Sequence, residues 1–383
     1  MKHTFVAMFT AAATVLVGIV APAQAAVTTP TTADGFTRMF AAKNDQTWSG
    51  GDQMTSFQSP RGYVYWLSAD TVLSNGVTAS GGYPSTGTTM VSNHILLQQG
   101  NQLVNAMANG GLGIPDPATH TAANAERYWP QSMFYANGHL YVLAQHVIND
   151  ATQSLGFGFL GVDIATYSVA SNGTLTFTGL KPTPSSNTRN GIGPARIQWV
   201  DDAVVTGGYV YVYGTTQPPS NPSVLHYSYV ARVPASLVTM PSAWRYYRKS
   251  AKQWVTSTNQ LSTDLLNEPD AILPTEISSV RIINGYTYII HKPWNGLGSA
   301  VYIEKSRYPQ GPFTETKIFD SPAGTVGATN YVTYAPMLHP EQTLGGPDAG
   351  KLLVSIDWNG ATLTDLVNNA QVYKPRFYAV PLP

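Results

Sequence analysis

The sequence predicts an all-β chain folded as a five-bladed β-propeller, on three observations. The composition suits strands and turns: 34 Gly and 27 Pro accompany 22 Tyr and 8 Trp. Aromatic residues favour strands, while Gly and Pro punctuate turns. A short pattern, a Gly leading a strand-like run, then recurs along the chain. Its copies are Gly62-Tyr63-Val64-Tyr65-Trp66, Gly138-His139-Leu140-Tyr141-Val142, Gly208-Tyr209-Val210-Tyr211-Val212, Gly285-Tyr286-Thr287-Tyr288-Ile289 and Gly350-Lys351-Leu352-Leu353-Val354. These copies lie 76, 70, 77 and 65 residues apart, and a long, nearly fixed period signals a repeat architecture.

Each copy follows another apolar run, over residues 54–57, 133–135, 199–205, 277–283 and 331–338. A strand, a Gly turn and a second strand make a β-hairpin. Further strand material follows at residues 157–169, 225–233, 300–305 and 376–380, so each unit has about four strands. Helix signals are short, at residues 104–108 and 364–369. The last strand, near 376–380, is expected to pair beside residues 35–40 and close the ring, because a closed ring leaves no open edge.

Residues 1–26 read as an export signal. Met1-Lys2-His3 is weakly basic, residues 5–20 are apolar and Ala-rich, and Ala23-Gln24-Ala25 offers a cleavage site. That run is shorter than the roughly 20 residues a membrane span requires. A secreted, monomeric protein is expected, with one domain over residues 27–383 and no membrane contact after cleavage. Equal numbers of basic and acidic residues, 21 of each, argue against a nucleic-acid partner, which needs a concentrated basic face. Hydrophobic residues make up 43% of the chain, enough for a large core and against disorder. With no cysteine, disulfides, thiolate metal sites and thiol nucleophiles are excluded together.

In a propeller, the start of each innermost strand lies beside the end of the next, because the two run antiparallel. Both ends open on one face of the disc. Measured from the repeated Gly, those positions are about ten residues before and about eight after, given hairpin pairing. They hold Asp52 and Asp70 in the first unit, Trp129 and His146 in the second, and Gln198 and Thr216 in the third. The fourth holds Glu276 and His291, and the fifth holds Asp357 beside Trp358. Carboxylates, imidazoles and Trp rings at one mouth suit a polysaccharide: rings stack on sugars, and paired carboxylates supply acid, base or nucleophile. Asp52 and Asp70 are the expected acid/base pair, with Glu276 a third catalytic carboxylate or a substrate ligand. Trp129, His146, Gln198, His291 and Asp357 are the expected substrate-binding residues.

Competing signatures fail. Gly345-Gly346-Pro347-Asp348-Ala349-Gly350-Lys351 approaches a phosphate loop, but Leu352 stands where Ser or Thr is required. There is no His-Glu-x-x-His zinc motif and no Gly-x-Ser-x-Gly elbow. No cofactor is assigned, and no ligand spacing calls for the structural calcium that some propellers carry.

The opening Trp48-Ser49-Gly50-Gly51-Asp52, followed by Trp66-Leu67-Ser68-Ala69-Asp70-Thr71, resembles a "W-[ST]-G-[GA]-D … W-L-F-G-D-T" pattern. That pattern marks exported actinobacterial five-bladed propeller domains of unknown function. These are related to arabinanase-like glycoside hydrolases and to endo-D-arabinofuranases. Further matching segments include Tyr128-Trp129-Pro130-Gln131, Thr275-Glu276-Ile277-Ser278 and Leu338-His339-Pro340-Glu341. The resemblance runs over residues 34 to 380 and implies a glycoside hydrolase acting on a furanoside such as arabinan, with Asp52 and Asp70 in the catalytic positions. The chain departs from the pattern at Ser68-Ala69, where an aromatic and a Gly are lost, and this predicts a looser turn at Asp70. A carbohydrate-binding propeller without catalysis is the alternative reading, and a structural scaffold is a third.

Overall fold

The structure is a computed structural model describing residues 29–117, 125–152, 156–185, 197–216, 226–261, 268–293, 296–322, 324–326 and 329–383. The expected export signal, residues 1–26, lies outside the described residues. No helix among the described residues is long and apolar enough to cross a membrane.

Five antiparallel sheets follow one another along the chain. Sheet I holds Ser56–Gln58, Val64–Ser68, His94–Gln99 and Gln102–Asn105. Sheet II holds Glu126–Ala136, His139–Asn149, Phe157–Val169 and Leu175–Pro182. Sheet III adds a fifth strand: Ile197–Thr206, Tyr209–Thr216, Ser228–Pro234, Arg245–Arg248 and Gln253–Val255. Sheet IV holds Ser279–Ile283, Tyr286–His291, Ala300–Ser306 and Thr314–Asp320. Sheet V holds Gly324–Val326, Thr329–Leu338, Leu352–Gly360 and Arg376–Val380. A sixth, three-stranded sheet joins Gly50–Gly51, Thr71–Ser74 and Thr88–Val91 beside sheet I.

The repeated glycine explains the hairpins. Gly62, Gly138, Gly208, Gly285 and Gly350 all have φ between +75° and +84°, a conformation that a Cβ disfavours. At Asn137-Gly138, Gly207-Gly208 and Asn284-Gly285 both residues have positive φ. Two-residue hairpins of type I′ require this, since their twist matches that of the flanking strands.

Successive side chains of a strand point to opposite faces, and here the two faces meet different sheets. In sheet II, Val142 packs with Tyr65 and Leu67 of sheet I, while Leu143 packs with Val210 and Val212 of sheet III. In sheet IV, Ile289 meets Tyr213 and Val230 of sheet III, whereas Ile290 meets Val354 and Ile356 of sheet V. In sheet V, Leu353 turns to Trp66 and Leu96 of sheet I. Burial on both faces is why these strands read as continuous apolar runs.

The N-terminal segment corrects one expectation. Residues 35–40 are not a strand but part of a helix, Ala33–Ala42, capped by the Thr32 hydroxyl, which accepts from Gly35 N at 3.0 Å. Phe36, Met39 and Phe40 fall on one helical face, and Phe36 and Phe40 pack on Phe377. Among the described residues Arg376–Val380 pairs only with Leu352–Gly360, and the helix Ala33–Ala42 packs on it. Of the short helix signals, residues 104–108 begin within the strand Gln102–Asn105, while 364–369 matches the helix Leu363–Asn368.

One lysine ties these ends together. The fully buried Lys374 donates to the carbonyls of Phe40 (3.3 Å), Ala41 (3.0 Å) and Lys43 (2.7 Å), and to Asn44 Oδ1 (2.8 Å). Helix C-terminal carbonyls have no intrahelical partner, and Lys374 supplies it. Lys374→Met keeps the volume but takes the donor from Lys43 O and Asn44 Oδ1, so it should destabilise the fold by about 1–3 kcal/mol. Urea denaturation reads this directly, and an unchanged midpoint would contradict the capping role.

Candidate active site

The strands that lead each unit, Ser56–Gln58, Glu126–Ala136, Ile197–Thr206, Ser279–Ile283 and Thr329–Leu338, lie against one another. Three of them lose register, between Pro130 and Ser132, Gln198 and Asp202, and Tyr334 and Met337. Just ahead of the first, Gln53 takes a left-handed φ of +55°. Bulges re-aim side chains that a regular strand would send into its faces. Here they turn polar groups out at one end of the strand cluster.

Asp52 stands at the Gln53 kink. Its Oδ2 accepts from Tyr334 Oη at 2.7 Å, and Tyr334 Oη accepts in turn from Asn359 Nδ2 at 3.0 Å. Its other oxygen is buried with no hydrogen-bond partner among the described residues. Burial, then the charge of Asp70, pushes the Asp52 carboxyl from 3.8 up to about 7. Asp357, fully buried, holds the kink from behind, where its Oδ2 accepts from Gln53 N at 2.5 Å. Burial and the charge of Asp52 hold Asp357 well above the usual carboxylate range. A side chain so enclosed fixes the backbone at Gln53 and, through it, the placement of Asp52.

Asp70 lies at the end of the neighbouring strand, and Ala69 N donates to Asp52 O at 2.9 Å. Its Oδ1 accepts from Trp129 Nε1 at 2.8 Å. Burial raises its pKa, against the Trp129 hydrogen bond and the Arg127 charge, which both favour the ionised form. The expected looseness at Ser68-Ala69 is absent. The Ser68 hydroxyl accepts from Thr71 Oγ1 at 2.7 Å and Trp48 Nε1 at 3.3 Å, which fixes the turn without the aromatic side chain. Space is tight, since a Cβ on Gly51 would stand 2.1 Å from Ser68 Oγ and 3.0 Å from Asp70 O.

A second acidic group lies on sheets III and IV. Asp201 accepts from the Thr215 hydroxyl. Burial, then the charge of Glu276, lifts Asp201 well above the usual carboxylate range. Glu276 keeps 42% of its side chain exposed, with His226 Nδ1 3.1 Å from its Oε2. Between the two acidic groups, Gln145 Nε2 donates to Gln198 Oε1 at 3.3 Å, and Gln131 Nε2 to Gln145 Oε1 at 3.5 Å. Gln198 is nearly buried, and its own amide nitrogen has no hydrogen-bond partner among the described residues.

Trp129 is half-buried, with its edge on Asp70 and its ring against Phe157 at 4.6 Å. His146 stacks on Tyr128 at 4.7 Å and lies 3.0 Å from Glu126 Oε2, within sheet II. His291 is buried in sheet IV beside Glu304 and Glu315, and its ring stacks on Tyr302.

Sequence reasoning missed Asp201, Tyr334 and Tyr373, the last donating to Asp70 O at 2.9 Å. Counting from the glycine assumes a regular hairpin, and the Gln198–Asp202 bulge moves the carboxylate three places on, to Asp201. The signal was present in Trp199-Val200-Asp201-Asp202-Ala203, because adjacent acids inside an apolar strand cannot both face a regular core.

The chain matches the family described as a domain of unknown function (DUF5005) over residues 34–381. No curated protein matches it. Among solved structures it is similar to a candidate hydrolase from Bacteroides ovatus ATCC 8483, with TM-score 0.68 and 20% identity over 90% of this chain and 88% of that one. At that identity the likeness is one of fold. Weaker likenesses include the GH43_1 enzyme of Xanthomonas citri complexed with xylotriose (TM-score 0.47, 12% identity, 91% and 93% covered). Another is the α-L-arabinanase of Cellvibrio cellulosa complexed with arabinohexaose (TM-score 0.46, 9% identity, 87% and 91% covered).

Proposed function

The chain belongs to the DUF5005 family, and from its site we propose that it is a secreted glycoside hydrolase. The observation that carries this reading is the unequal pair Asp52 and Asp70. Carboxylates whose surroundings drive them toward different protonation states mark the acid and the base of such sites. Asp52, lifted to about 7 by burial and Asp70, keeps a proton near neutrality and acts as general acid on the glycosidic oxygen. Asp70, whose pKa burial also raises but whose ionised form Trp129 and Arg127 favour in opposition, acts as base or nucleophile. Asp201 and Glu276, across the Gln131–Gln145–Gln198 chain, bind the sugar on the opposite side. The substrate is an extracellular or cell-wall polysaccharide of furanosides, such as arabinan, in keeping with the sequence resemblance. No cofactor is required by this chemistry.

The five sheets close as a five-bladed β-propeller in this reading, supported by apolar interfaces that join each sheet to the next and sheet V back to sheet I. Turnover should fall as pH rises through about 7, because a general acid works only while protonated. A rate that stays flat from pH 6 to 9 would remove Asp52 from that role. The half-exposed Trp129 is the expected sugar platform. Trp129→Ala should weaken oligosaccharide binding by about 1–3 kcal/mol, the range for aromatic stacking on a planar ligand. Calorimetry on a folded variant measures this, and unchanged affinity would leave Trp129 only its hydrogen bond to Asp70.

A further inference from the structure

His291, Glu304 and Glu315 lie on three adjacent strands of sheet IV, away from the carboxylates described above. Their register places them on one face: Ile289 is opposite Glu304, Glu304 opposite Glu315, and His291 opposite Tyr302. The face is mostly dry, with 4% of the His291 and 6% of the Glu304 side chain exposed, while Glu315 at 55% reaches solvent. From each of the three residues one ligand atom falls within 4.8 Å of the others.

The geometry points to a divalent transition-metal site of the zinc type at these three residues. His291 turns one nitrogen, Nε2, to both carboxylates, 3.4 Å from Glu304 Oε1 and 3.8 Å from Glu315 Oε2. A single N–H satisfies one acceptor well, whereas a cation on the Nε2 lone pair faces both. Zinc bonds of about 2.0–2.1 Å to imidazole and carboxylate place neighbouring tetrahedral ligands about 3.4 Å apart, close to the spacing found. His146 provides the contrast. Its Nε2 faces Glu126 at 3.0 Å and its Nδ1 faces Asp163 at 3.8 Å, so its carboxylates lie on different ring edges and cannot share one ion with it.

Charge supports the same assignment. Glu304 is buried, and among the described residues its ion-pair partner is His291. The one lysine of the outer strand, Lys317, is engaged by Asp320 at 2.6 Å. A buried Glu304 carboxylate, with that of Glu315 beside it at the solvent edge, calls for a compensating cation. An imidazole with two carboxylates favours zinc over calcium, which takes oxygen ligands. With three protein ligands and Glu315 at the solvent edge, the ion would staple the three strands and leave one position for water.

The test is zinc titration of the chelator-stripped full-length protein, followed by calorimetry and thermal unfolding. One equivalent should bind and raise the unfolding midpoint by roughly 2–4 °C, with calcium giving no shift. Glu315→Gln, an exposed substitution that leaves the core intact, should weaken zinc binding at least tenfold, and Glu304→Gln should abolish it. No zinc-dependent shift in the wild type, an equal shift in Glu315→Gln, or a preference for calcium would overturn the assignment. None of these readouts depends on hydrolysis, so the site stands or falls separately from the proposed activity.

Discussion

Asp52→Asn should reduce glycan hydrolysis by about 10²–10⁴ while leaving the protein folded, the range expected when one general acid is lost. The amide fills the same space and can still accept from Tyr334 Oη, so the Tyr334–Asn359 relay at 2.7 Å and 3.0 Å survives. Folding stability should respond in the opposite direction to activity. Burial and Asp70 raise the Asp52 pKa from 3.8 to about 7 on folding. The folded state therefore binds the proton more tightly than the unfolded chain does. That contribution is complete below about pH 4 and is lost as pH rises through about 7. Above pH 7 the wild type carries a buried charge that the Asn variant lacks, so the variant should unfold at a higher temperature than wild type at pH 8. An Asp52→Asn protein with full turnover would remove Asp52 from the mechanism.

Asp202→Ala should cause the largest loss of stability. Its Oδ1 accepts from Ser132 Oγ of sheet II at 2.6 Å and from Ala203 N at 2.8 Å. Its Oδ2 accepts from Val280 N and Arg281 Nη1 of sheet IV, both at 2.6 Å. Arg281 Nη2 then reaches Ser56 O of sheet I at 2.9 Å. One carboxylate from sheet III thus joins, directly or through Arg281, three other sheets, with 1% of its side chain exposed. Removing it leaves a guanidinium only 12% exposed without its counter-charge, a change that costs about 3–5 kcal/mol. Denaturant titration should show this, with Asp202→Asn intermediate because it keeps two of the acceptor contacts. A loss below about 1 kcal/mol, the size of an exposed ion pair, would contradict the hub role.

How far the sequence could be read depends on which regularities the fold keeps. Gly62, Gly138, Gly208, Gly285 and Gly350 announced the hairpins because their left-handed backbone excludes other residues. The second strand of each hairpin was legible from apolar runs such as Leu140-Tyr141-Val142-Leu143-Ala144, buried on both faces. The closeness of Asp52 and Asp70 was also legible, since a regular hairpin fixes which residues meet at its open end. Asp201 was not, because a bulge breaks the count that led to Gln198. For His291, position along the strand gives its height in the sheet but not its neighbours Glu304 and Glu315. The helix Ala33–Ala42 was missed although Phe36, Met39 and Phe40 carry helical spacing, because the expectation of a closing strand took precedence over that local period.

The most direct measurement is reducing-sugar release by wild-type protein across arabinan, arabinogalactan, fructan, xylan and mannan, with Asp52→Asn as the matched control. The proposed function predicts release from a furanoside polymer by wild type and a loss of about 10²–10⁴ in the variant. Binding to one of these polymers with no release by wild type would contradict hydrolysis and identify the chain as a carbohydrate-binding propeller.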